Sequence, residues 1–177
     1  MVPISTFSGR SLVPQAPIAD AIDLEDIAHA LSQICRFAGQ IGAFYSVAQH
    51  SVHCSELCEP ADALHGLLHD AAEAYLGDLP RPVRTLAGLE AYAAVEGHLQ
   101  AVIFHRFGLS AAIPESVRRA DDWLCRWEAR ELFPVPPSWA VREDETELMH
   151  ALRISPWSPR AAKTAFLHRF TVLGGRR

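Results

Sequence analysis

Apolar residues in this chain recur at three- and four-residue steps, and no segment alternates apolar and polar with period two. A half-buried strand needs that alternation, whereas a helix facing a core needs the longer step. The pattern therefore predicts an all-α fold. Ile27, Ala30, Leu31 and Ile34 carry it in a first helix that begins at Asp20 or Asp23. Asp23, Glu25 and Asp26 fall in its first turn, where carboxylates suit the helix dipole. The stretch from Arg36 to Gly42 carries two glycines and reads as a loop.

Ser46-Val47-Ala48-Gln49 fits the S/T-x-x-E/Q capping box, with Ser46 as N-cap. His50 then lies in the opening turns of a helix that runs to about Cys58, before Pro60. Another helix starts near Ala61-Asp62, carries Leu64, Leu67, Leu68, Ala71 and Ala72 as its inner stripe, and ends at Gly77. Asp78-Leu79-Pro80-Arg81-Pro82 reads as an extended loop, because proline does not fit a helix interior. Further helices are expected over about Thr85–Phe107, Glu115–Leu132 and Arg160–Leu173, the last behind Ser158 as N-cap and Pro159 at the first helical position. Residues 1–19 read as an irregular lead-in and 174–177 as a frayed tail. There is no internal repeat and no linker, so residues 1–177 are expected to form one domain.

With 177 residues, 49% of them hydrophobic, the chain can bury a sizeable core. Its formal net charge of −5 argues against a partner such as a nucleic-acid polymer or a membrane surface, either of which calls for a basic face. No apolar run approaches the roughly 18 residues of a membrane span. The N-terminus lacks the basic and apolar regions of a signal peptide, so a cytoplasmic protein is expected. Cys35, Cys54, Cys58 and Cys125 form no CxxC pair and read as buried thiols. Cys54 and Cys58 share a helix face beside His50 and His53, an arrangement short of the usual structural zinc spacing.

The adjacent pair His69-Asp70 interrupts an apolar helix, Gly66-Leu67-Leu68-His69-Asp70-Ala71-Ala72. An imidazole and a carboxylate in such a setting cost several kcal/mol unless they are paired or bound. One divalent cation satisfies both. His50, on the preceding helix, is the natural third ligand, and Asp121 the natural fourth, with the adjacent Asp122 in competition. A mixed nitrogen and oxygen set suits one Mn, Co, Fe, Zn or Mg ion and leaves positions open for water and substrate. His53 and His65 lie close enough in sequence to replace a ligand, although His65 and His69 lack the glutamate of an HExxH site.

His50…His69-Asp70…Asp121 resembles the H…HD…D signature of the HD-domain phosphohydrolases. The chain is most similar to their small bacterial and phage members, related to 5′-deoxynucleotidases and to phage dNTP triphosphohydrolases, dATP-specific ones among them. The likeness extends through Ile27-Ala28-His29-Ala30-Leu31, Arg36-Phe37, Tyr45 to Ser51, Leu67 to Pro82, Ala120-Asp121 to Glu128-Ala129-Arg130, and Pro156-Trp157-Ser158-Pro159.

The resemblance implies that His50, His69, Asp70 and Asp121 bind one divalent metal. It implies hydrolysis at the α-phosphorus of a 2′-deoxynucleotide, giving the deoxynucleoside with phosphate or with triphosphate. Glu73 would position the water or move a proton, with Asp70 beside it. Asp78 would read the sugar hydroxyls, and Arg36 would hold phosphate with Phe37 packed nearby. Arg84, helped by Arg81, would meet outer phosphates, and Pro82 and Ala38 would shape the base pocket. Relatives of this kind form homo-oligomers, commonly dimers or assemblies of dimers.

Without the resemblance, Glu73 and Asp78 read as solvated carboxylates, Arg81 and Arg84 as loop decoration, and Phe37 as core. His98 and His105 share one helix face, but their surroundings do not resemble the second metal site of dinuclear HD enzymes. Two other functions fit the same motifs. One is a nucleotide sensor without turnover, and the other a phosphodiesterase on cyclic or dinucleotide substrates, which calls for a wider cleft and a second metal.

Overall fold

The computed structural model describes residues 2–140 and 154–175. The fold is all-α: α1 (Leu24–Gln33), α2 (Val47–Leu57), α3 (Ala63–Leu68), α4 (Glu73–Leu76), α5 (Arg81–Arg84), α6 (Glu90–Arg106), α7 (Glu115–Leu132) and α8 (Pro159–Val172). Within the lead-in, Ile4–Ser5 pairs antiparallel with Ser11–Leu12, and Ala19–Ala21 forms a 3-10 turn. The lead-in is thus more ordered than expected. Ser8 donates from its backbone N–H and its hydroxyl to Asp26 at 2.6 and 2.8 Å, which ties the hairpin to α1. Of the expected tail, residues 176–177 lie outside the described residues.

The helix starts follow local chemistry. Asp23 accepts from the Glu25 N–H and Ser158 from the Ala161 N–H. Ser46 accepts from the Gln49 N–H at 3.1 Å, which is one half of the capping box. The other half is absent. The Gln49 side chain instead donates to the Ser155 carbonyl at 2.8 Å and accepts from the Trp157 N–H at 2.9 Å, clamping the approach to α8.

α2 is the central element, packed against α1, α3, α7 and α8. Every residue from Val47 to Ser55 is buried, including Gln49, His50, Ser51, His53 and Ser55. Buried polar groups need partners. Ser51 and Ser55 donate to backbone carbonyls one turn back, and Arg169 of α8 binds Ser55 through both its hydroxyl and its carbonyl. The main core surrounds α2 with Ile22, Ile27, Leu31, Leu67, Leu68, Leu99, Ile103, Phe104, Phe166 and Phe170, all fully buried. Each contributes roughly 1.5–3 kcal/mol. A second cluster of Cys54, Cys58, Val117, Ala120 and Leu124 seats α7 on α2. Cys54 and Cys58 act there as small apolar side chains, and all four cysteines are free thiols.

The chain departs from expectation around the His-Asp pair. In place of one helix from Ala61 to Gly77, α3 stops at Leu68 and α4 begins at Glu73. The residues between form tighter turns, with Ala71 N–H on Leu68 O and Glu73 N–H on Asp70 O. The cause is Gln100 of α6. Its amide donates to the Leu68 carbonyl at 2.8 Å and accepts from the Ala72 N–H at 2.9 Å, the two groups a continuous helix would join to each other. A side chain inserted into the helical ladder breaks it.

Two other boundaries move. The expected loop over 78–82 runs into the short helix α5, where Pro82 sits in the first turn and no N–H is needed. The helix expected from Thr85 begins only at Glu90. In the expected loop after α1, Arg36–Gly39 forms a 3-10 turn with Phe37 at φ 54° and Ala38 at φ 50°. Two consecutive non-glycine residues in the left-handed region cost about 1–2 kcal/mol each, and both line the cavity described next.

Candidate metal centre and its cavity

Four side chains from three parts of the fold converge. Central α2 supplies His50, the turns broken open by Gln100 supply His69 and Asp70, and α7 supplies Asp121. His50 Nε2 lies 3.3 Å from His69 Nε2, 3.1 Å from Asp121 Oδ1 and 3.7 Å from Asp70 Oδ2. His69 Nε2 lies 3.2 Å from Asp70 Oδ2 and 3.8 Å from Asp121 Oδ1. Ligand atoms held about 2.1 Å from one ion are separated by about 3 to 3.5 Å. His50, His69 and Asp121 could hold a metal ion, and the Asp70 oxygen borders the same space.

The donor chemistry fits a cation. His50 Nδ1 faces Glu128 Oε1 at 2.8 Å, and His69 Nδ1 faces the Gly66 carbonyl at 2.8 Å. An acceptor at each Nδ1 fixes the proton there and turns both Nε2 lone pairs towards each other. A cation between them removes that conflict. Without one, protons take its place. Burial and Arg36 oppose a charge on His50, yet the Glu128 and Asp121 carboxylates raise its pKa to about 9. Burial likewise opposes His69, and Asp70 and Asp121 raise it well above the ordinary value. Asp70, raised by burial but lowered more by His69, falls to about 2.

Asp121, and not Asp122, faces the histidines. Asp122 is half exposed and pairs with Arg81 at 2.6 Å. His53 pairs with Glu56 and lies tilted against Trp157, and His65 meets the Ser110 carbonyl, so neither joins the cluster of His50, His69 and Asp121.

Asp70 and Asp121 open onto a cavity of about 360 Å³. Arg36, Phe37, Ala38, Glu73, Asp78, Arg81, Pro82 and Arg84 all line it, so it gathers each residue singled out as a substrate contact. Their pairings were not foreseen. Arg36 is buried and gives Nε to Glu128 Oε2 at 2.9 Å, with Nη1 3.8 Å from Asp70. Arg84 lies between Glu73 at 2.5 Å and Glu96 at 3.0 Å. Arg81, mostly exposed, reaches Asp121 Oδ2 at 3.2 Å as well as Asp122, which steadies that carboxylate from outside.

Glu73 is buried, and its Oε2 has no hydrogen-bond partner among the described residues. Burial, then Asp70 and Asp78, push its pKa up to about 10, against the pull of Arg36 and Arg84. Asp78 is also raised, by burial first. Phe37 meets Phe133 edge to face at 5.3 Å, and Trp139 completes an aromatic rim.

Sequence reasoning gave no role to Gln100, Glu96, Phe133 or Trp139, and Glu128 entered only within the stretch that carries the resemblance. Glu128 alone had a local signal, since it lies on the α7 face seven residues past Asp121.

Among the described residues no helix is long and apolar enough to cross a membrane. No family model matches the chain. It is 39% identical over 173 residues to Uncharacterized protein YfdR of Escherichia coli, spanning 96% of this chain and 94% of that protein. It is 35% identical over 182 residues to Uncharacterized protein RCAP_rcc00048 of Rhodobacter capsulatus, spanning 94% of this chain and 92% of that one. Likeness of this extent, end to end, means that the chain belongs to the family of YfdR and RCAP_rcc00048.

Proposed function

We propose that this chain is a divalent-metal-dependent phosphohydrolase of 2′-deoxynucleotides, of the HD-domain type its motifs resemble. The observation that carries the reading is the meeting of His50, His69, Asp70 and Asp121 at the wall of a cavity that also holds Arg36, Arg84, Glu73 and Asp78. Such a cavity combines ligands for a cation, positive charge for phosphate and acids for proton transfer.

A bound divalent cation would supply Lewis-acid activation of water and of a phosphoryl oxygen. The protein groups do the rest. Arg36 holds a non-bridging phosphate oxygen beside Asp70. Water adds to the α-phosphorus, the bond from phosphorus to the 5′-oxygen breaks, and the leaving 5′-oxygen takes up a proton. Glu73, whose pKa burial raises, faces the cavity within reach of that proton and is the group that moves it. Asp78 accepts from a sugar hydroxyl, and the Phe37, Phe133 and Trp139 surface packs the base. Arg84 serves any outer phosphates once they displace Glu73 or Glu96, whereas Arg81 supports Asp121.

The test is metal-stripped protein resupplied with Mn, Co, Mg or Zn and incubated with each dNMP and dNTP, with Asp70→Ala as the blank. Deoxynucleoside with phosphate from a dNMP, or with triphosphate from a dNTP, is expected. An absence of metal-dependent turnover across the panel would sink the proposal.

A further inference from the structure

Glu128 joins the two halves of the centre from behind, by a hydrogen bond to each of its oxygens. It is fully buried on α7, with Oε1 on His50 Nδ1 at 2.8 Å and Oε2 on Arg36 Nε at 2.9 Å. One oxygen serves a metal ligand and the other the arginine that faces Asp70 and lines the cavity. A carboxylate so deeply buried is costly unless both oxygens are engaged. Here each is engaged by a group of the site.

We infer that Glu128 is a positioning residue that sets the His50 tautomer and the Arg36 orientation together, so that cation binding and oxyanion binding depend on one side chain. This rests on the metal centre proposed above. The physical argument is one of hydrogen-bond inventory. A carboxylate only accepts, so it demands a proton on His50 Nδ1 and leaves Nε2 as the donor of an electron pair. It demands with equal force that Arg36 present Nε inwards, which leaves the outer face of the guanidinium towards the cavity. An amide in its place can satisfy only one partner. With its oxygen on Arg36, its NH2 meets Nδ1 and favours the opposite tautomer, with the proton on Nε2 where the cation would bind. With its oxygen on His50, its NH2 faces the guanidinium donors.

The test uses zinc alone as the probe on the full chain, by calorimetry and by imidazole 15N NMR. In the zinc-loaded wild type, His50 is expected with Nδ1 protonated and Nε2 coordinated. Glu128→Gln is expected to weaken zinc binding about 10- to 100-fold, with the His50 pattern altered. Adding Arg36→Met frees the amide to turn its oxygen to His50, so the double variant is expected to regain most of the affinity. A merely structural role predicts further loss instead.

Folded Glu128→Gln with wild-type zinc affinity overturns the inference, and so does a double variant weaker than the single. Wild type that binds no zinc overturns the metal centre itself, and the inference with it. Should Glu128→Gln fail to fold, the zinc-loaded wild type decides. A protonated Nδ1 sustains the role of Glu128, and coordination through Nδ1 overturns it.

Discussion

His50 Nε2 and Asp121 Oδ1 stand 3.1 Å apart, although one belongs to the central helix α2 and the other to α7. Their approach depends on the packing of Cys54, Cys58, Val117, Ala120 and Leu124, which seats α7 on α2 one turn away from the ligands. Apolar packing thus sets the separation of two polar groups. The energy that brings them together comes from the core and not from their own attraction.

That relationship separates two adjacent carboxylates. Asp121→Asn is expected to weaken zinc binding by at least about 100-fold, more than the loss typical of an outer partner. Asp122→Asn, at a half-exposed residue paired among the described residues with Arg81, is expected to stay within about fivefold, because exposed ion pairs contribute little. Calorimetric zinc titration of both variants decides, and equal losses would return the fourth ligand to an open choice.

The pH response of the metal-free protein follows from His50. Its pKa is about 9 in the folded state against an ordinary 6.5. The stabilisation from its charged form is therefore complete below about pH 6.5 and is lost as pH rises through about 9. Glu73, raised by burial and by Asp70 and Asp78, acts with the same sign. Urea unfolding in chelator should show stability falling across this window, and saturating zinc should flatten the fall. A metal-free profile that is level from pH 6.5 to 9 would contradict the charged histidine.

Gln100→Leu tests the break between α3 and α4. The substitution strips the buried Ala72 N–H of its acceptor and the Leu68 carbonyl of one of its two donors, the Ala71 N–H remaining. A loss of about 1–3 kcal/mol is expected from the one donor left unsatisfied. Zinc affinity should fall with it, since His69 and Asp70 lie between those two anchors. Wild-type stability and affinity in Gln100→Leu would show that the turns hold their shape without the wedge.

At Gly66, α3 approaches the end of α2 closely. A Cβ there would stand 2.9 Å from Cys58 Sγ and 3.0 Å from Ser55 Cα. Gly66→Ala should therefore destabilise by about 1–3 kcal/mol, despite the better helix propensity of alanine. Cys58→Ala in the same chain should not restore stability, because the Ser55 backbone remains in the way. Thermal melts of the single and double variants measure this, and full rescue would place the clash on the thiol alone.

Whatever depends on neighbours three or four residues apart is legible in the order of the residues. The all-α class follows from the apolar step, and the starts of α2 and α8 follow from Ser46 and Ser158, whose hydroxyls cap backbone groups three residues on. The His69-Asp70 pair stood out because two polar groups interrupted an apolar run. The remaining features depend on contacts far apart in the chain. Gln100 splits a helix 28 and 32 residues away, and Glu128 holds His50 and Arg36 across 78 and 92 residues. The burial of Gln49 and of both serines on a polar-looking α2 also depends on elements packed around it from both ends of the chain. Local periodicity reports which face of a segment is apolar, but not which distant side chain arrives to satisfy a buried polar group. In this protein those distant arrivals aim the candidate ligands.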